Sequence, residues 1–144
     1  MNVKKISVRL ISEIDGECAE HAYFGEYRFR NNSHIIAYRD YVGNAVTMVG
    51  IEANERMMLL HRTGYFTSDM LFDTASETVV KYDALSLKAG FLLTTKKYEL
   101  SADKTGLKIR VEYALNDGSG EPEIIGKQTL AVTFKEDTED EKDI

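Results

Sequence analysis

From Leu107 to Leu115 the chain reads Leu-Lys-Ile-Arg-Val-Glu-Tyr-Ala-Leu, apolar and polar residues in near-perfect alternation. Successive side chains of a strand point to opposite faces, so Leu107, Ile109, Val111, Tyr113 and Leu115 form one dry face while Lys108, Arg110 and Glu112 line the wet one. After a turn at Asn116-Asp117-Gly118, a second run reaches Lys135 with Leu130, Val132 and Phe134 on a single parity. Two such strands in succession make a hairpin with one apolar side. Ile109, Val111, Tyr113, Leu130, Val132 and Phe134 are therefore the expected core.

Similar material fills the rest of the chain. Strands are predicted over Val3–Ile14, Cys18–Arg30, His34–Tyr41, Ala45–Ala53, Arg56–Arg62, Tyr65–Phe72, Thr78–Tyr82, Leu85–Leu87, Gly90–Leu100, Leu107–Leu115 and Ile124–Lys135. The joints are Asp15-Gly16, Asn31-Asn32, Gly43-Asn44, Asn54-Glu55, Thr63-Gly64 and Asp103-Lys104-Thr105-Gly106, rich in residues that tolerate the positive φ of tight turns. The lone proline, Pro122, falls in the Asp117–Glu123 turn, where a missing amide donor does no harm. Short links in sequence order predict an all-β fold, a single antiparallel up-and-down meander. A meander of roughly eight to ten strands removes its exposed edges by closing into a barrel, and one of that size can hold a small ligand.

At 144 residues the chain is long enough to bury a core without cross-links. Residues 1–136 are expected to form the barrel domain and residues 137–144 an acidic, flexible tail. Lys135–Ile144 carries six acids and two lysines, so this segment accounts for −4 of the formal charge of −6. With no basic stripe to offset it, that balance argues against nucleic acid as a partner. The single cysteine, Cys18, and three scattered histidines cannot build a Cys/His zinc site, so neither metal nor cofactor is expected. No stretch has the length of a membrane span, and no apolar segment follows the basic N-terminal residues, which predicts a cytoplasmic protein.

Several stretches together carry a family resemblance. Tyr38-Arg39-Asp40, Leu60-His61-Arg62-Thr63-Gly64, Ser68-Asp69-Met70-Leu71-Phe72, Tyr82, Thr95-Lys96-Lys97, Val111-Glu112-Tyr113-Ala114-Leu115 and Phe134-Lys135-Glu136 follow one another at familiar spacings. In these the chain resembles the YwiB-like family of bacterial proteins, a group of unknown function. The resemblance implies a lipocalin-like (calycin) barrel, an architecture that sometimes encloses small apolar molecules. The family usually has a Thr-Pro-x-Gly turn after the tyrosine matched by Tyr82. Here those positions read Ala84-Leu85-Ser86-Leu87, so strand is expected to run on through that corner.

Chemistry-bearing patterns are sparse. Asp103-Lys104-Thr105-Gly106 spells the phosphorylated-aspartate signature of P-type ATPases but joins two amphipathic antiparallel strands, where a hairpin loop selects the same residues. Tyr23, Gly25, Tyr27 and Phe29 share one strand face, with Phe24, Glu26, Arg28 and Arg30 on the other. That pattern fits an aromatic barrel wall with solvated outer arginines better than a base-stacking platform. There is no G-x-S-x-G elbow, no H-E-x-x-H helix and no close Cys/His pair, so catalysis has little support.

Arg62 has the parity of Met58 and Leu60, which puts a guanidinium at the end of an apolar row. Asp40 or Asp69 is an available counter-ion. Arg62 is then either a plug closing one barrel end or a hook for a ligand carboxylate. Gln128 shares the parity of Leu130, and Thr94 or Thr95, depending on register, supplies another inner polar point. Arg62, Tyr38, Tyr82 and Gln128 are the candidate ligand-binding residues. The function expected is non-catalytic: a module binding a small apolar, amphipathic or carboxylate ligand in the barrel. The rival is a protein-interaction or assembly module with a packed lumen, toward which the flexible fillers Met48, Met57, Met58 and Met70 lean. Lumen volume separates the two, since a drug-sized ligand needs about 300 Å³ or more.

Overall fold

The alternation is realised as ten antiparallel strands in a computed structural model that describes residues 3–64, 67–84, 87–116 and 124–135. They are β1 (Lys4–Ile14), β2 (Glu17–Arg30), β3 (Ser33–Val42), β4 (Ala45–Ala53), β5 (Met57–Gly64), β6 (Thr67–Asp73), β7 (Thr78–Ala84), β8 (Leu87–Asp103), β9 (Gly106–Asn116) and β10 (Ile124–Phe134). Each strand pairs with its neighbours in sequence, and β10 returns to β1, closing the barrel. The closing ladder runs from Ile6 opposite Phe134 to Ile14 opposite Gly126. This is the up-and-down barrel expected from the hairpin chemistry; β2 pairs with β3 over Gly25–Arg30, while its Glu17–Phe24 half pairs with β1.

Two turns use the predicted residues in the predicted way. Asp15 and Gly16 have φ of 49° and 87°, and Asn31 and Asn32 have 54° and 63°. Positive φ at both central positions matches the right-handed twist of the flanking strands. Asp103-Lys104-Thr105-Gly106 is a hairpin turn: Asp103 pairs with Gly106, and the Asp103 carboxylate accepts hydrogen bonds from the Thr105 amide and hydroxyl. Those bonds hold the Asp103 carboxyl below its usual range.

One corner departs from expectation. Ala84 pairs with Leu87, so the chain reverses between β7 and β8 where continuous strand was predicted. Leu87 opens β8 instead of closing a short strand Leu85–Leu87. Thr78–Ala84 pair with Leu87–Leu93 in a single ladder, and residues 85–86 between them lie outside the described residues. The Asn116–Glu123 turn beyond Asn116, Pro122 and the acidic tail lie outside the described residues.

The predicted core is the core. Ile109, Val111, Tyr113, Leu130 and Val132 are buried, and Phe134 packs against them half-buried. Ile6, Ile36, Phe72 and Leu93 complete the interior as fully buried side chains. On β2 the inward row holds Tyr23 and Tyr27, while Arg28 and Arg30 are exposed. Phe29 shares the inward parity but lies exposed at the barrel end. On β8 a register shift between Thr95 and Lys97 lets Thr95 face inward and keeps Tyr98 inward three residues later.

The end carrying the β2–β3 and β4–β5 turns is closed by side-chain bonds. The Tyr98 hydroxyl donates to the carbonyls of Asn54 and Met57, at 2.7 and 3.2 Å. His34 Nδ1 lies 2.8 Å from the Tyr27 hydroxyl, beside the Phe29 ring.

Two outcomes follow. Val111→Asp buries an unpaired charge in the core and should cost more than about 4 kcal/mol, enough to abolish the β-sheet circular dichroism at 25 °C. Arg110→Asp, on the wet face of the same strand, should cost less than about 1 kcal/mol. The second concerns His34, whose imidazole burial pulls below its ordinary 6.5. The unfolded chain therefore takes up that proton first as pH falls through 6.5, and stability declines from there until the folded-state value is passed. Melting temperatures read from pH 7.5 to 5 should fall for the wild type and fall less for His34→Gln.

Candidate ligand site at one end of the barrel

The opposite end of the barrel is polar inside. Arg62 lies two residues past Leu60 on the inward face of β5, as its parity required, and is half-buried. With Tyr38 and Gln128 it borders a cavity whose apolar wall includes Leu60, Val111 and Leu130. Three of the four predicted residues thus come together around one space. The fourth, Tyr82, is placed by its backbone, opposite Ser68 and Ala89, but its side chain lies outside the described residues.

The cavity is small. Its volume of about 10 Å³ is room for a single water. The interior is filled by large side chains, among them Tyr27, Tyr38, Phe72 and Tyr113, with Met58 and Met70 as the methionine fillers. Met48 and Met57, expected beside them, sit on outward-facing positions of β4 and β5.

Neither predicted counter-ion pairs with Arg62. Asp69 is on the outer face, where its carboxylate bonds His61 Nδ1. Asp40 does share the inward parity of Tyr38 and, after burial, helps to raise the Tyr23 hydroxyl pKa, but it makes no ion pair with Arg62. Among the described residues no carboxylate lies within 4.0 Å of the Arg62 guanidinium. Its one recorded hydrogen bond is a weak contact of Nη1 with Met70 Sδ at 3.9 Å.

Tyrosines surround this cation. Tyr23 and Tyr38 stack with ring centroids 4.4 Å apart. Tyr113 lies edge-on to Phe72 at 5.2 Å, and its hydroxyl accepts from Gln128 Nε2 at 3.2 Å. Gly126 faces Tyr113 across β9–β10, and a Cβ there would collide with the Tyr113 ring, so the glycine makes room for it. Burial raises the hydroxyl pKa of Tyr38 and Tyr113 above the ordinary 10, and the positive Arg62 partly opposes the rise in both. Both hydroxyls therefore keep their protons at neutral pH.

Sequence reasoning missed Ser68. It pairs with Arg62 across β5–β6, is only 4% exposed, and its Oγ has no hydrogen-bond partner among the described residues. The signal was there: Ser68 continues inward the parity of Met70 and Phe72. Thr95, not Thr94, is the inner threonine; it accepts the Asp73 amide at 3.1 Å, while Thr94 bonds Glu77 at 3.1 Å. Among the described residues no group of three or more His, Cys, Asp or Glu side chains could hold a metal ion. No helix is long and apolar enough to cross a membrane.

The molecule is thus an all-β protein of the closed up-and-down barrel class, with a filled interior and one donor-rich end. Residues 5–132 match the family described as "Domain of unknown function (DUF1934)", and the chain belongs to that family. Its fold is similar to that in the crystal structure of the ywiB protein from Bacillus subtilis: TM-score 0.82, 20% identity, covering 92% of this chain and 93% of that one. The resemblance carried by the Tyr38 to Glu136 stretches therefore holds. No curated protein matches the chain.

A cation in an apolar row without a counter-ion is a cost to the fold, not a clasp. Arg62→Met should accordingly melt at or above the wild-type temperature. A fall of several degrees would instead identify Arg62 as a structural plug.

Proposed function

We propose that this protein is a non-catalytic binding module that holds the polar head of a small amphipathic ligand at the donor-rich end of the barrel. Arg62, Tyr38 and Gln128 contact the ligand, and Tyr82 belongs to the same site by its register beside Ser68. The observation that carries this reading is Arg62 itself, inward-facing and without a carboxylate partner among the described residues. A cavity of about 10 Å³ holds one water, so the head group enters by displacing flexible neighbours such as Met58 and Met70, and the ligand's apolar part lies at the barrel mouth. An exposed free thiol at Cys18 suits a reducing, cytoplasmic setting.

A second reading has an observation of its own. The small cavity equally suits a packed barrel that works through its outer surface. Tyr41 and Val46, paired across β3–β4, and nearby Met48 are exposed apolar residues on that surface.

Thermal melts separate the two readings. Wild type and Arg62→Met are melted with straight-chain C4 and C6 acids, amides and alcohols. Ligand binding at this end predicts a rise in the wild-type melting temperature that Arg62→Met abolishes. No rise with any compound removes the ligand reading and leaves the packed, surface-acting barrel.

A further inference from the structure

We infer that the head group is a carboxylate, and that Ser68 binds it together with Arg62. The inference rests on the ligand reading above and names its chemistry. Arg62 and Ser68 are directly opposed on neighbouring strands and face the same interior. The guanidinium offers five N–H donors, and its recorded use is one weak contact to sulfur. The Ser68 hydroxyl is buried and unpartnered among the described residues. Tyr113 accepts from Gln128, which leaves its own hydroxyl proton free to donate. The nearby carboxylate, Asp40, does not come within 4.0 Å of the Arg62 guanidinium.

This end of the barrel therefore gathers the donors of Arg62, Ser68 and Tyr113, and among the described residues no carboxylate lies within ion-pair distance of the guanidinium. A water could fill the space but would bring no charge and would itself need acceptors for two protons. A carboxylate supplies two oxygens in a plane that a guanidinium meets with parallel hydrogen bonds, leaving lone pairs for a hydroxyl. The cavity beside Arg62 holds one water, so either anion enters only by displacing neighbouring side chains.

The orphaned hydroxyl makes a test that a structural role would not satisfy. A buried hydroxyl without a partner destabilises the empty protein, so Ser68→Ala should melt at or above the wild-type temperature. The same variant should bind butyrate about tenfold more weakly, as loss of one hydrogen bond to a charged group implies. Calorimetric titrations of wild type and Ser68→Ala with butyrate, butyramide, butanol and inorganic phosphate measure this. Carboxyl-labelled 13C butyrate should show a carboxyl pKa lowered on binding, because the site favours the anion.

The expected result is binding of butyrate alone, weakened in Ser68→Ala. Arg62-dependent binding of the amide or alcohol at equal strength would overturn the carboxylate assignment while leaving the ligand site standing. Tighter binding of phosphate than of butyrate would overturn it likewise. Unchanged butyrate affinity in Ser68→Ala would remove Ser68 from the site. No binding of any compound would take down the ligand reading itself and this inference with it.

Discussion

The ladder between β1 and β10 is the constraint on which the remaining structure depends. It joins the first strand to the last in an unbroken register from Ile6–Phe134 to Ile14–Gly126, and so turns a meander into a cylinder. Closure gives every strand a neighbour on each side, and it also fixes the girth of what must be filled. An eight-strand barrel is just wide enough for side chains to fill; ten strands demand bulkier contents or a flattened cross-section. The inward rows meet that demand with Tyr27, Tyr38, Phe72 and Tyr113, helped by Met58 and Met70. A residual cavity of about 10 Å³ is the consequence.

Filling with tyrosine has a chemical price, because each ring brings a hydroxyl that burial obliges the fold to place. The two ends of the barrel solve this differently. At one end Tyr98 reaches the carbonyls of Asn54 and Met57, and Tyr27 meets His34, so the hydroxyls are spent on sealing the turns. At the other end Tyr38 and Tyr113 gather near Arg62, a residue that adds donors and no acceptor. The hydroxyls of one end are thereby bonded to its turns, while at the other Arg62 has no carboxylate within ion-pair distance among the described residues.

Most of the fold was legible because period-2 alternation states both the strand and its inward face. Val111, Leu130 and Arg62 were placed correctly by parity alone. The β7–β8 corner was misread because Ala84 and Leu87 lack turn chemistry. The shift in β8 did leave one: Lys96-Lys97 interrupts the alternation where the strand gains a residue between Thr95 and Tyr98. Partner identity was the least legible feature. Parity shows that Asp40 faces inward, but not that it would stay beyond ion-pair distance of Arg62. Ser68 was overlooked because a small polar residue at the start of an apolar strand looks like its boundary, although it lies opposite Arg62 in the register.

The polarity of the two ends also accounts for why a filled barrel and a binding site are not in conflict. A lumen packed to the size of one water fixes the surrounding side chains, and fixed donors lose little freedom when a ligand arrives. Arg62 extends from a wall of Leu60, Val111 and Leu130 that sets its direction, while Gly126 lets the Tyr113 ring lie close against the strand beside Gln128. Arg62 stays half-exposed at this end with no carboxylate within ion-pair distance among the described residues, and under the proposed function the stabilisation it forgoes would go to a bound ligand.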